Sequence, residues 1–236
     1  MKPHIICHIA SSVDGRLLNN RWSLPYDGSF QDEVLAQYVT AGMKFGTDAW
    51  MFGLTTAKAF LPEKFQVAEA KHSEIREVFR GNKSSKRWFI VSDPKGEIRY
   101  TRSEVRGDNI IAILATSVSD EYLSHLREMN ISYVFAGRDG FDLKAALEAL
   151  YSVFGITSIS LQGGGIINGA FLNEGLIDEL SLIIYPGIDG LSGIPSIFEY
   201  LGQPDDMPAK GQSLQLESVR QLDKGVVWLR YKFHHA

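Results

Sequence analysis

Cysteine is nearly absent: Cys7 stands alone among 236 residues. A single thiol excludes an internal disulfide and any paired-CxxC metal site. Its setting, the apolar run "IICHIA", suits a small buried hydrophobe better than a nucleophile. Positive charge is not in excess either. Lys and Arg number 24 against 28 Asp and Glu, a net charge of −4, and the basic residues are scattered, so nothing marks a nucleic-acid partner. Long apolar runs are missing as well. None approaches the ~20 residues that a bilayer crossing needs. The first apolar run is too short for a signal peptide and leads straight into polar "SSVDGR", so the expected location is cytoplasmic. There is no H-E-x-x-H, no G-x-S-x-G and no G-K-[ST] after a glycine loop, which leaves zinc protease, serine hydrolase and P-loop chemistry without a pattern. The six histidines are dispersed, and no metal is expected.

What is present is a chain of 44% hydrophobic residues, ample for one large core, so residues 1–236 are expected to form a single domain. Strand-like runs lie at 4–10, 48–53, 87–92, 109–114, 132–136, 158–162 and 179–186. Most are apolar on successive residues, as strands covered on both faces should be. Helical patterns fall between them, at 29–46, 62–79, 119–130 and 142–155. In the last, Leu143, Ala146, Leu147, Leu150 and Phe154 form an apolar stripe, with Asp142 placed to cap it and Gly155 to end it. Ser119 caps the third in the same way. Alternation of strand and helix predicts an α/β fold with a mostly parallel central sheet flanked by helices. The end of the chain departs from this rhythm. Two alternating strands around "LDKG" predict an antiparallel C-terminal hairpin. Residues 190–211 are rich in Gly and Pro and predict a long surface excursion.

In parallel α/β sheets, ligands gather where strands end and helices begin. Four stretches occupy such positions. "SLQGGGIINGAFL" runs from a buried strand through Gln162 and three glycines into a helix, the chemistry that receives a phosphate on free backbone N–H groups. A tight strand–helix turn would also explain it. "HIASSVDGRL" ends the first strand in small residues and places Asp14 in a turn. "WMFGLTTAKAF" offers Gly53 and the hydroxyls of Thr55 and Thr56, either of which could cap the next helix. "FIVSDPKG" ends a strand at Ser92-Asp93. His8 lies beside the first of these strand ends, where it suits a hydrogen-bonded structural histidine as well as a site residue. Phosphate-friendly turns without a nucleophile or metal set imply a nucleotide cofactor that carries the chemistry itself.

Taken together, "SSVDGRL", "DAWMFGLTT" and "LQGGGIINGAFLNEGLIDELSLIIYPGIDG" resemble the reductase domain of the riboflavin-biosynthesis deaminase/reductases, a family with the dihydrofolate reductase-like fold. The resemblance runs in order across about residues 4–234. It implies NADPH, or else NADH, delivering hydride to a pyrimidine- or pterin-like small molecule, and a homodimer. It also implies roles. Ala10 and Ser12 would border the nicotinamide. Gly53, with Thr55 and Thr56, would meet phosphates, and Ser92 the adenosine ribose. Gly163, Gly164, Gly165 and Ile166 would wrap pyrophosphate and nicotinamide, with a cis Gly163–Gly164 peptide. Asp14 would orient the substrate or relay a proton, and His8 and Gln162 would line the substrate pocket.

The sequence departs from that family on the substrate side. Phe60 and Gln66 stand where the family has an Asp and an Arg, Gln162 where it usually has Glu, and His8 where it has Lys. The expectation is therefore a reductase on a retained cofactor platform with an altered substrate. The riboflavin-pathway step itself, 5-amino-6-(5-phosphoribosylamino)uracil reduction, and a non-catalytic nucleotide-binding protein remain as alternatives. Asp93, next to Ser92, would disfavour a 2′-phosphate and hence NADPH.

Overall fold

A computed structural model of the chain describes residues 1–28, 31–66 and 76–236. Its elements in order are β1 (His4–Ser11), α1 (Gln31–Met43), β2 (Ala49–Gly53), α2 (Leu54–Ala57), β3 (Trp88–Ser92), β4 (Glu104–Val105), β5 (Asp108–Leu114), α3 (Asp120–Glu128), β6 (Ser132–Phe135), α4 (Leu143–Phe154), β7 (Ser158–Leu161), α5 (Gly165–Asn173), β8 (Glu179–Ile184), β9 (Gln212–Gln221) and β10 (Val227–His235). Every strand expected from the sequence is present, with the two-residue β4 in addition. The chain divides into two compact units, residues 1–3 with 47–159 and residues 4–46 with 160–236, so that the division falls within β7.

In the first unit β2, β3, β5 and β6 run parallel in that order, and β4 lies antiparallel on β5. All seven residues of β5 are buried, and residues 110–114 are apolar on both faces to match. Around it pack Phe52, Phe89, Val91, Tyr100, Tyr122 and Tyr133. The helix ends follow their caps. Ser119 Oγ accepts the Tyr122 N–H at 3.1 Å, and Asp142 Oδ1 accepts the Ala145 N–H at 3.0 Å. The five stripe residues of α4 are all buried, and Gly155 closes the helix at φ +68°, a left-handed conformation that suits glycine.

One helix expected from the sequence is not formed at its ends. Residues 62–66 and 76–79 are extended, with Lys64 bridging Ile98 and Phe79 bridging Tyr133. The backbone groups there pair with residues 97–99 and with Tyr133 of β6 instead of with their own turn. The middle of that stretch, 67–75, lies outside the described residues. α2 is also shorter than the pattern implied, a single turn whose N-cap is Gly53 with no side-chain cap. Thr55 and Thr56 sit inside this turn, so neither caps it.

In the second unit β1 pairs parallel with β8, β8 antiparallel with β10, and β10 antiparallel with β9. The hairpin turns through Asp223–Gly225, where Lys224 and Gly225 both take positive φ. Trp22, Ala41, Ile183, Tyr185, Val226 and Trp228 form the core of this unit, with Tyr38 and Phe45 against it. Residues 185–211 carry no helix or extended strand, yet they are stitched down: Leu17 N–H donates to Pro195 O at 2.9 Å, and Glu199 N–H to Gly165 O at 2.9 Å.

Candidate active site

β1 and β8 end together, with Ser11 opposite Ile184, and the glycine turn after β7 lies against the same strand. A Cβ at Gly163 would come within 2.6 Å of Ile9 Cδ1. The second unit thus carries Ala10, Ser12, Asp14, Gln162 and Gly163–Ile166, with Gly163 packed against β1. The Gly163–Gly164 peptide is cis, and Gly164 is the N-cap of α5 without a side-chain cap. The first-turn amides of α5 have no acceptor within the helix, and Ile166 beside them is half exposed.

The glycines also answer to a packing need that the sequence hid. A Cβ on Gly165 would lie 2.4 Å from Ser196 O, and one on Gly169 only 2.2 Å from Glu199 O. These two glycines, four apart on one face of α5, let residues 196–199 cross the helix at backbone distance. Asn168 ties the crossing down through Nδ2 to Ile197 O at 2.9 Å. Gly165 and Gly169 are therefore accounted for inside the chain. The spacing G-x-x-x-G was the signal that could have revealed the crossing.

Asp14 is fixed as an ionised group. Its Oδ1 accepts from Ser12 Oγ at 2.6 Å and Asp189 N at 3.1 Å, and its Oδ2 accepts from Gly190 N at 2.8 Å. The Ser12 hydroxyl and these amides hold its carboxyl down at about 2. Its oxygens are spent on joining the 12–16 turn to the 187–190 loop, a holding task.

His8 and Gln162, expected at the pocket wall, are turned inward. His8 is fully buried. Its Nε2 is 2.9 Å from Tyr38 O and its Nδ1 2.9 Å from Ser181 Oγ. A carbonyl only accepts, so Nε2 carries the proton. Trp228 Nε1, which only donates, gives its proton to Ser181 Oγ at 2.8 Å, and Ser181 in turn donates to Nδ1. Burial lowers the imidazole to about 4, and the ring is neutral. Gln162 accepts at Oε1 from the Tyr38 hydroxyl and donates from Nε2 to Ser160 Oγ at 2.7 Å. Tyr38, Ser160, Ser181 and Trp228 carried no sequence signal of this role, since a stripe or strand position reads simply as core.

In the first unit Gly53 and Ser92 are register partners at the ends of β2 and β3, with Thr55 and Thr56 in the turn beyond. Asp93 is a correction. Its carboxylate is buried, accepting from Glu97 N at 2.8 Å, Ile98 N at 3.0 Å and Tyr122 Oη at 2.8 Å. Facing inward and taken up by three donors, it is not presented at the rim beside Ser92. Among the described residues no group of three His, Cys, Asp or Glu could hold a metal ion, and no helix is long and apolar enough to cross a membrane.

The uncapped α5 N-terminus, the half-exposed Ile166 and the small residues ending β1 fit a dinucleotide's pyrophosphate and ring. Comparison with known proteins identifies the family. The family model described as the RibD C-terminal domain matches residues 3–228. Two curated relatives are each named 2,5-diamino-6-ribosylamino-4(3H)-pyrimidinone 5′-phosphate reductase. The one from Archaeoglobus fulgidus is 24% identical over 204 residues, covering 84% of this chain and 86% of its own. The one from Aquifex aeolicus is 23% identical over 199 residues, covering 83% and 82%. Among solved structures, a pyrimidine reductase-like protein from Corynebacterium diphtheriae superposes with a TM-score of 0.68 at 16% identity, covering 99% of this chain and 93% of that one. The Saccharomyces riboflavin biosynthesis reductase does so with 0.58 at 15%, covering 99% and 90%. These likenesses show the fold expected from the motifs.

Proposed function

The chain belongs to the RibD C-terminal domain family, and from that premise we propose that it is an NADPH-dependent reductase of a ribosylaminopyrimidine phosphate or a close heterocyclic relative. The observation that carries the reading is the end of β7: a glycine turn opening an uncapped helix, beside the small residues that end β1. When bound, the dihydronicotinamide supplies a hydride. The protein's part is binding and orientation. In the second unit, the backbone of Gly163, Gly164, Gly165 and Ile166 receives pyrophosphate and nicotinamide, and Ala10 and Ser12 border the ring. In the first, Gly53, Thr55 and Thr56 serve phosphate, and Ser92 serves ribose. Asp14 holds the 187–190 loop to the β1 turn rather than moving a proton. NADH is the weaker cofactor in this reading, because the inward turn of Asp93 removes the objection to a 2′-phosphate. The single buried thiol of Cys7, pushed up by burial, suits a reducing cytoplasm.

Support for a homodimer comes from the C-terminal hairpin. Leu214, Leu216 and Val219 of β9 are about half exposed and pair with Phe233, Tyr231 and Leu229 of β10. Two strands of this length make a footprint of roughly 300 Å², at the low end of patches that mark interaction sites, and flanking residues would bring it towards the ~600 Å² per partner of a small interface. No charged residue interrupts these pairs, so the face suits a second copy of itself. Sedimentation of wild type and Leu216→Glu tests this. A dimer that dissociates in the variant is expected; a monomeric wild type, or an unaffected dimer, contradicts it.

The reductase reading is tested by following NADPH oxidation with the pyrimidinone phosphate named for the relatives. Saturable turnover is expected. Cofactor binding without turnover of any pyrimidine or pterin would point instead to a nucleotide-binding protein.

A further inference from the structure

Tyr38 touches two of the four departures on the substrate side, His8 and Gln162. Its carbonyl accepts from His8 Nε2 at 2.9 Å, and its hydroxyl donates to Gln162 Oε1. Its ring stacks on the imidazole with centroids 4.3 Å apart and planes 2° from parallel. One turn further along α1, on the same face, Gly42 makes this approach possible: a Cβ there would sit 3.0 Å from His8 Cδ2 and 3.7 Å from Gln162 Nε2.

Both ends of the Gln162 amide are engaged. Gln162 Oε1 is taken by Tyr38, and one Nε2 proton by Ser160 Oγ, which is itself fully buried. In this arrangement Oε1 accepts from Tyr38 and Nε2 donates to Ser160, so the side chain is pinned at both ends between two hydroxyls. Gln162 is also the residue from which the Gly163–Gly164 turn departs. Fixing its side chain fixes the backbone at the mouth of that turn.

We propose that Tyr38 is a positioning residue of the reductase, acting through the side chain of Gln162 to hold the Gly163–Gly165 turn in register for its ligand. Gln162 is then not a substrate contact. Its neutrality matches a neutral His8 and the Tyr38 and Ser160 hydroxyls. This deepens the reductase reading and rests on it.

Two measurements test the proposal and separate its failure from that of the reading beneath it. The first needs no activity: exchange of the Gln162 side-chain amide protons with solvent, by NMR on the full chain. Wild type should protect them. Tyr38→Phe should lower the protection at least tenfold while most backbone amides keep theirs. Should Tyr38→Phe not fold, Ser160→Ala removes the opposite anchor and should produce the same loss. Unprotected Gln162 protons in wild type overturn the proposal whatever the enzyme does. The second is a double-mutant cycle of kcat/KM with NADPH and the pyrimidine. Tyr38→Phe and Gln162→Leu should each cost about tenfold, with the NADPH Kd raised because the turn they hold is the one assigned to the cofactor, and the double variant should lose no more than the worse single. Losses that multiply, or a Tyr38→Phe enzyme with unchanged kcat/KM, overturn it.

Discussion

His8 should make the protein acid-labile through a single proton. The ring is enclosed by Tyr38, Ser181 and Phe45 and stays neutral because Trp228, through Ser181, leaves Nδ1 only an acceptor's role. Burial lowers its pKa from 6.5 to about 4. Unfolding releases the imidazole to its ordinary value, so between these limits the unfolded chain binds one proton more than the folded one. For a depressed histidine the stabilisation is therefore complete above pH 6.5 and is lost as pH falls towards 4. A shift of this size corresponds to about 3 kcal/mol, at ~1.4 kcal/mol per pH unit. Urea unfolding of wild type and His8→Gln at several pH values between 7 and 4.5 isolates this contribution. The variant is less stable at pH 7, because it loses the stack and the fitted hydrogen bonds. The gap between the two should narrow steadily through the acid window. Parallel stability curves would refute the reasoning, for they would mean that no proton is taken up at this site on unfolding.

Other consequences follow from single contacts. Gly169→Ala places a methyl 2.2 Å from Glu199 O, and lifting residues 196–199 off α5 should cost about 2–3 kcal/mol, read as a lowered Tm. Asp142→Ala removes the cap on Ala145 N and should cost ~1 kcal/mol with NADPH affinity unchanged, a control for stability effects alone. Asp14→Asn separates holding from proton transfer. A proton relay at Asp14 predicts a loss of ~10²-fold or more in kcat, whereas the holding role predicts a fall of less than tenfold, with faster proteolysis of the 187–193 loop.

Much of the fold was legible because the strands are apolar on both faces and the helix caps are local. Asp142, Ser119 and Gly155 act within three or four residues of where they stand, so their roles are written in the chain beside them. The failures share the opposite property. Residues 62–66 and 76–79 look helical by composition but are extended, because Ile98 and Tyr133 offer them partners far along the chain. Asp93 reads as a rim carboxylate until Tyr122, on α3, is seen to bind it from inside. The glycines of "LQGGGIINGAFL" were read for a ligand, and the turn at Gly163–Gly164 suits one. Gly165 and Gly169, however, accommodate the backbone of residues 196–199. For Gln162 the identity of the residue was informative but its direction was not. Which way a side chain turns depends on Tyr38 and Ser160, and no local pattern announces either.

The central claim is reduction of a pyrimidine by NADPH, and one experiment bears on it most directly. The purified full chain is mixed with NADPH and 2,5-diamino-6-ribosylamino-4(3H)-pyrimidinone 5′-phosphate, and cofactor oxidation is followed alongside the pyrimidine product. Saturable oxidation is expected, with one pyrimidine reduced per NADPH consumed and slower turnover with NADH. Cofactor fluorescence unchanged up to millimolar NADPH, with no oxidation in the presence of the pyrimidine, would contradict it.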